Sequence, residues 1–559
     1  MPSHHANWGC QTTHLGVWHR FARGACAGPT DQLRCLRYFG AGLLGLLLLA
    51  LSACGTLPQV DRTAKYTEAI PSSSSTALGR IANAYRPAPD QSGFRLMPLG
   101  KFSLDTRVEL ARRAEVSLDV QYYNLANDES GRWLLRALRD AAVRGVRVRV
   151  LIDDFYTSDS DELFLSLAAH PNVEVRLFNP FCCARSSGQL TRFLASFGDI
   201  KRVNHRMHNK LFVADGAMAV IGGRNVANEY FLRNTMGQNF IDVDAFAVGW
   251  IMQPLQGLFD RYWNADAVYP LEAFARTSKA PAELRQKFEQ WTGPELTPPP
   301  PPLPRTDILG YGPISEDLDS GRLGLIWGEA YVFADHPDKP FDGATDGELE
   351  ETSVTYNVFE ALRKAQKEVV ISSPYLVPGK DGMALFTELR SRGVAVTAMT
   401  NSLGATDEPF VHIGYTAYRD PMLALGVDLY EISGSRVKRN VRENLFGKSL
   451  GRLHAKLAVV DRKVLFVGSM NLDPRSATIN TELGAVINSP QLAREMLRII
   501  DIDRLQSAYR LRLSAIGEWC EWLAIEDGQE VVLTEEPDSS LWLRLKLMLL
   551  RPLVPLGLL

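Results

Sequence analysis

The sequence lacks the surplus positive charge of a nucleic-acid binder. Its formal net charge is −3 and its pI is near 6.4, so no general basic field neutralises a phosphate backbone and no nucleic acid is expected as a partner. It is also poor in cysteine. Of seven cysteines, Cys10, Cys26 and Cys35 precede the expected mature start, and Cys182, Cys183 and Cys520 have no zinc-ligand spacing. Neighbours such as Cys182 and Cys183 rarely bridge, so these three read as packing residues. Long hydrophobic runs are missing as well: the apolar stretch 38–53 (YFGAGLLGLLLLALSA) is short for a stable membrane span. A core is not missing. The hydrophobic fraction is 46% and the charged fraction 22%, as in folded proteins, and 559 residues at roughly 100 to 200 per domain suggest two large units.

Arg34 and Arg37 ahead of that apolar stretch give it the n-region and h-region of a secretory signal. It ends in Leu51-Ser52-Ala53-Cys54, which resembles the bacterial lipobox, where the signal is cut before a cysteine that is then acylated. Cys54 is the expected lipid anchor; an uncleaved anchor helix is the other reading, and both hold the protein at a membrane. Residues 55–94, with their Ser72–Ser75 run, read as a polar tether.

The body of the chain repeats itself. Glu115 to Asp154 predicts strand, loop, apolar-spaced helix and β-branched strand, and Glu368 to Asn401 gives the same order, with Arg144-Gly145-Val146 answered by Arg392-Gly393-Val394. A third strand, VEVRLF at 173–178, is matched by VDLYEI at 427–432. Two α/β units with helix-flanked parallel sheets follow. Pro298 to Pro302, Leu303 and Pro304 separate them as an extended spacer. The end of the chain, 539–559, sets Arg544, Lys546 and Arg551 among leucines and a tryptophan, which suits either a membrane interface or a packed terminal helix.

Each unit carries one chemical motif. His208, Lys210 and Asp215 stand in HNKLFVADGAMAVIGGRN, and His454, Lys456 and Asp461 in HAKLAVVDRKVLFVGSMN. Both follow H-x-K-x4-D-x6-G-[GS]-x-N, with Asn225 and Asn471 at the end. A strand at H-x-K points histidine and lysine to one face. A phosphodiester has a poor leaving group on a negatively charged centre, so cleaving it takes a nucleophile, a proton donor and cations around the oxygens. One histidine can attack phosphorus and the other can protonate the departing alkoxide. Lys210, Lys456, Asn225 and Asn471 can hold the phosphate, and no metal or cofactor is required. The site is complete only if the halves converge. Asp215 and Asp461, placed after the strand, suit support of the loop and lysine.

These motifs are those of the phospholipase D superfamily, and the flanks resemble bacterial cardiolipin synthases of the C type from about residue 95 to the end. The flanks in question include DVQYYNLANDESGRWLLRAL, RMHNKLFVADG, FIDVDAFAVG, VHIGY and LDPRSATINTELG. The resemblance implies two phospholipase D-like α/β/α sandwich halves, 95–292 and 311–515, related by a pseudo-twofold axis and sharing one active site. A signal peptide (1–54), the tether, a Pro-rich linker (293–310) and an amphipathic C-terminal segment (516–559) complete the chain. It further implies an acidic residue downstream of each motif that orients a histidine; Asp244 and Glu482 are assigned those places. By resemblance His208 is the nucleophile and His454 the acid and base.

The implied reaction passes a phosphatidyl group to phosphatidylglycerol and makes cardiolipin, with phosphatidylethanolamine as a second possible donor. A hydrolytic phospholipase D or nuclease of the same superfamily, and a non-catalytic lipid-binding envelope lipoprotein, are the alternatives. Phospholipids and the membrane surface are the expected partners, and the periplasmic face of the bacterial envelope the expected location. An accessory protein and the choice of inner or outer membrane stay open. His412, in the VHIGY segment, reads as a packed histidine rather than part of an acceptor pocket.

Overall fold

The computed structural model describes residues 57–553 apart from 62–65, 85, 159, 183–184, 186, 235–236, 340–351, 438–449, 518 and 527. The expected signal and Cys54 lie outside the described residues, as does Cys183.

The first half contributes strands β1 (Ser92–Met97), β2 (Ser117–Tyr122), β3 (Arg147–Asp153), β4 (Val173–Phe178), β5 (Leu211–Ala214), β6 (Met218–Gly222), β7 (Gln238–Ile241), β8 (Asp244–Gly249) and β9 (Val268–Pro270). The second contributes β10 (Ile326–Ala334), β11 (Glu368–Ser372), β12 (Ala395–Asn401), β13 (Asp428–Ile432), β14 (Leu450–Leu453), β15 (Leu457–Val460), β16 (Val464–Gly468), β17 (Leu483–Asn488), β18 (Ala508–Leu513), β19 (Cys520–Glu526) and β20 (Gln529–Leu533). In each half three parallel strands, β2-β3-β4 and β11-β12-β13, continue into an antiparallel set, β5-β6-β8 and β15-β16-β17.

The repeated βαβ units form for local reasons. Asp128 caps the helix Glu129–Val143 by accepting the Gly131 N–H, as a short carboxylate at that position should. Gly145 and Gly393 then turn the chain back at φ of 100° and 78°, a region where a side chain is strained. Helices cover both faces of the sheet, so β2 is buried along its whole length and its polar residues need partners. Asp119 has one in Arg149, at 2.6 Å.

The two sheets are not separate. β10 pairs with β1 through Phe94–Ile326 and with β17 through Glu329–Asn488, fusing both halves into one sheet of 18 strands among the described residues. Three further features differ from expectation. Residues 66–84 are not a free tether: Ala69 donates to Asp260 at 2.7 Å, and Leu78 and Ala82 are buried against the first half. The Pro-rich linker is strapped down, because Trp133 Nε1 donates to the Pro298 carbonyl at 2.9 Å and Arg132 to that of Leu296 at 3.4 Å. Past residue 515, β19 and β20 extend the second sheet, so the amphipathic part shrinks to the helix Leu541–Leu550. That helix buries Leu547 against Leu403 and Ile413 and leaves Leu541, Trp542, Met548 and Leu549 exposed. No described helix is long and apolar enough to cross a membrane.

Candidate active site

His208-Asn209-Lys210 leads into β5 and His454-Ala455-Lys456 into β15. At this point the backbone pairs with the opposite half. The His208 N–H donates to the Thr481 carbonyl and the His454 N–H to that of Ile241, each at 2.8 Å. β7 and β14 run parallel, with Ile241 opposite Leu453, while Met207 bridges to Thr481. Each histidine is therefore clamped beside the residue that follows its partner strand, and the two arrangements mirror each other.

The following residues are Asp242 and Glu482. His208 Nδ1 lies 2.9 Å from Glu482 Oε2, and His454 Nδ1 lies 2.8 Å from Asp242 Oδ2. These partners are 274 and 212 residues apart in the chain. Both motif histidines are thus steered by a carboxylate of the other half, which fixes Nδ1–H as the donor and leaves Nε2 facing the site. Ser469 and Ser476 hydroxyls also donate to Glu482. In the first half the equivalent of Ser469 is Gly223, where a Cβ would stand 2.6 Å from the Asp242 oxygens.

The assignment of Asp244 to a histidine is corrected by this geometry. Asp244 sits opposite Gly222 in the β6–β8 ladder, as Gly484 sits opposite Gly468, so it corresponds to Gly484 and not to Glu482. Its carboxylate points away from the histidines, into the helix layer. There it accepts from Arg107 at 3.0 Å and Ser103 at 2.5 Å, with Arg224 at 3.5 Å. Aligning Asp244-Ala245 with Gly484-Ala485 would have revealed Asp242 from sequence.

Burial dominates the electrostatics. It drives the His208 imidazole down to about 4, with Lys210 and Lys456 adding to the effect against Glu482. His454 is held well below its ordinary range by burial, Lys456, Lys210 and His208. Each ring thus senses the other half's lysine, and one electrostatic site contains both motifs. Lys456 is lowered to about 8 by burial, and Lys210 is lowered too. Among the described residues no carboxylate is in ion-pair contact with either lysine, and the charges of Glu482 and Asp242 offset their desolvation only in part, so an incoming phosphate would offset more of it.

Lys210 and Lys456 donate to the His208 and His454 carbonyls at 2.6 and 2.7 Å, and Lys456 Nζ also lies 3.2 Å from His454 Nε2. Asn225 accepts from the Asn124 N–H and donates to the Tyr230 hydroxyl at 3.0 Å. Asn471 Oδ1 is buried with no hydrogen-bond partner among the described residues. Aromatic walls that sequence reasoning missed complete the site: Tyr123 stands 5.2 Å from the His208 ring, and Tyr230 and Phe240 stand 5.1 and 4.8 Å from His454.

Asp215 and Asp461 lie at the far ends of β5 and β15, both left-handed at φ of 50° and 51°. Asp215 accepts the N–H groups of Glu115, Val116 and Ser117, and Asp461 those of Gln366, Lys367 and Glu368. They tie down the start of β2 and β11 and touch neither lysine. His412 is buried, 3.6 Å from Glu536 and against Tyr415, beside the C-terminal segment.

Comparison with known proteins finds matches to both halves of the chain. The family model described as "Cardiolipin synthase, PLD-like domain" matches residues 108–263 and 358–504, one stretch in each half. Cardiolipin synthase C of Escherichia coli is 36% identical over 481 residues, covering 84% of this chain and 97% of that protein. A cardiolipin synthase of Staphylococcus aureus is 24% identical, covering 78% and 72%. Among solved structures, phosphatidylserine synthase of Haemophilus influenzae superposes with a TM-score of 0.53 at 13% identity, over 86% of this chain and 99% of that one, a likeness of fold.

Proposed function

Because the chain belongs to the phospholipase D-like cardiolipin synthase family and is a phospholipase D-type phosphatidyltransferase, we propose that it makes cardiolipin from phosphatidylglycerol through a phosphohistidine on His208. Phosphatidylethanolamine is a second donor. The observation that carries this reading is the reciprocal steering of His208 by Glu482 and His454 by Asp242, which gives two imidazoles of defined tautomer to one site.

His208 Nε2 attacks phosphorus, forming a P–N bond as the P–O bond to the headgroup breaks. The departing alkoxide takes a proton from His454 Nε2. The hydroxyl of a second phosphatidylglycerol then returns a proton to His454 while its oxygen displaces His208 from phosphorus. The diester's negative charge favours the protonated form of His454 that the resting site disfavours. Lys210, Lys456, Asn225 and the orphan Asn471 oxygen's amide surround the phosphate. His208 is favoured as nucleophile because its Nε2 has no protein partner among the described residues, whereas His454 Nε2 already faces Lys456. The exposed Trp542 helix and the expected Cys54 anchor support attachment to the bacterial envelope, on its periplasmic face.

Purified protein given phosphatidylglycerol is expected to yield cardiolipin and free glycerol, and its expression in cells lacking cardiolipin should restore that lipid. Phosphatidic acid as the sole product would establish hydrolysis instead.

The pH dependence follows from three buried groups. His208 must be neutral to attack, so kcat/KM should fall as pH drops toward about 4. His454 must carry the proton it donates, and kcat/KM reports the free enzyme, where burial and the neighbouring lysines hold that imidazole well below its ordinary range, so kcat/KM should already decline as pH rises from the acid side. Lys456 must be charged to hold the phosphate, so a further fall is expected as pH rises through about 8. Lys456→Arg should remove the fall near 8 alone; a fall there that stays in place would assign it to another group.

A further inference from the structure

A cleft of about 400 Å³ lies between the helices Gly100–Arg113 and Glu129–Val143, with the strapped Pro-rich linker as its third wall. That volume falls in the range of roughly 300 to 1,000 Å³ usual for small-ligand sites. Its floor is apolar, built by Leu104, Val108, Trp133, Phe231 and the linker prolines. Lys101 and Arg233 line it as well. The Arg233 guanidinium lies 4.4 Å above the Trp133 ring, which holds it flat and fixes its direction. Burial and the neighbouring Arg233 charge together hold the Lys101 ammonium below its ordinary range.

Two half-buried cations side by side repel each other and forfeit hydration, a cost that a carboxylate would ordinarily offset. Among the described residues no acid is within ion-pair distance of either. The acids of the same walls are otherwise engaged or weak: Asp140 accepts from Arg139 at 2.7 Å, and burial with the nearby Glu109 pushes Asp105 up to about 6. The cleft therefore presents a cation pair with no carboxylate in ion-pair contact among the described residues, only the more distant Glu129 charge acting on Arg233, beside a hydrocarbon floor, the chemistry that recognises an anionic amphiphile.

We infer that this cleft is a second lipid site, which takes one acyl chain of an anionic phospholipid with its phosphate on Lys101 and Arg233. The inference goes beyond the transfer reaction and does not depend on its product. The cleft uses neither catalytic lysine. It backs onto the active site through the Tyr230–Phe231 step, since Phe231 lines the cleft while the Tyr230 ring stands 5.1 Å from that of His454.

The test uses the full chain in detergent micelles with phosphatidylglycerol that carries a photoactivatable diazirine near the end of one acyl chain, followed by peptide mapping. Label is expected on peptides spanning residues 101–112 or 296–305. It should fall at least ~10-fold in Lys101→Gln/Arg233→Gln, since both charge-assisted bonds to the phosphate are lost. Leu104→Trp, which fills the floor, should lose label without touching the cations. A diazirine diacylglycerol should label these peptides weakly, and inorganic phosphate should not compete. Thermal midpoints near that of the parent protein keep the variants interpretable, and either variant suffices if the other unfolds. Label confined to peptides around His208, His454 or residues 541–550 would overturn the inference. So would label unchanged in a folded variant, equal labelling by diacylglycerol, or displacement by inorganic phosphate, which would mark a site for the free anion.

Discussion

His208→Ala is expected to lose at least ~10⁴-fold in transfer rate, on the scale seen when a member of a nucleophile–base pair is removed elsewhere. The loss should hold whatever the leaving group, because no phosphorus–nitrogen bond can form. His454→Ala should be equally poor with phosphatidylglycerol, whose glycerol alkoxide needs a proton to depart. Its behaviour should change with a p-nitrophenyl ester of phosphatidic acid, since p-nitrophenolate leaves unprotonated. His454→Ala should then release one equivalent of p-nitrophenolate and accumulate an acid-labile phosphoenzyme. Rapid-quench measurement with phosphorus-labelled donor reads both. The opposite pattern, with the burst in His208→Ala, would exchange the two roles while leaving the site intact.

The second large effect separates two aspartates that stand two residues apart. Asp242→Asn places an amide against His454 Nδ1, where it can hold the ring in the wrong tautomer, and should cost ~10²- to 10⁴-fold in kcat with little change in stability. Asp244→Asn should act on the fold. Its carboxylate answers Arg107 and Arg224, both fully buried, and breaking a buried pair by removing one partner costs ~3–5 kcal/mol. The folded fraction of Asp244→Asn should keep a kcat near that of the parent protein. Denaturant midpoints and active-site titration check the pair of substitutions together; a catalytic defect in a stable Asp244→Asn protein would restore Asp244 to the site.

What was legible in the sequence was what the chain states twice. The H-x-K spacing, the two βαβ units and the glycines at 145 and 393 predicted the halves and the convergence of their motifs. Less was legible where one half touches the other. The seam of β1 against β10 spans three residue pairs, too short for a periodic signal, so two sheets were expected where one continuous sheet exists. Asp242 was passed over for a related reason: two carboxylates in Ile241-Asp242-Val243-Asp244 look alike, and the sequence does not mark the break between β7 and β8 that turns Asp242 to His454 while Asp244 opens β8 and meets Arg107. β19 and β20 escaped notice because edge strands carry mixed polar and apolar residues, and 516–533 offered no duplicate for comparison. The linker was read as a spacer because proline signals extension but says nothing about what the extended chain lies against.

The crossed carboxylates have a consequence for how activity arises during synthesis. When the ribosome has finished the first half, His208 and Lys210 already exist, yet the acid that will aim His208 is 274 residues downstream. A nascent first half holds an imidazole with nothing to orient it and no second ring to donate a proton. The pair of steered imidazoles therefore exists only after the stretch that carries His454 and Glu482 has folded against the first half.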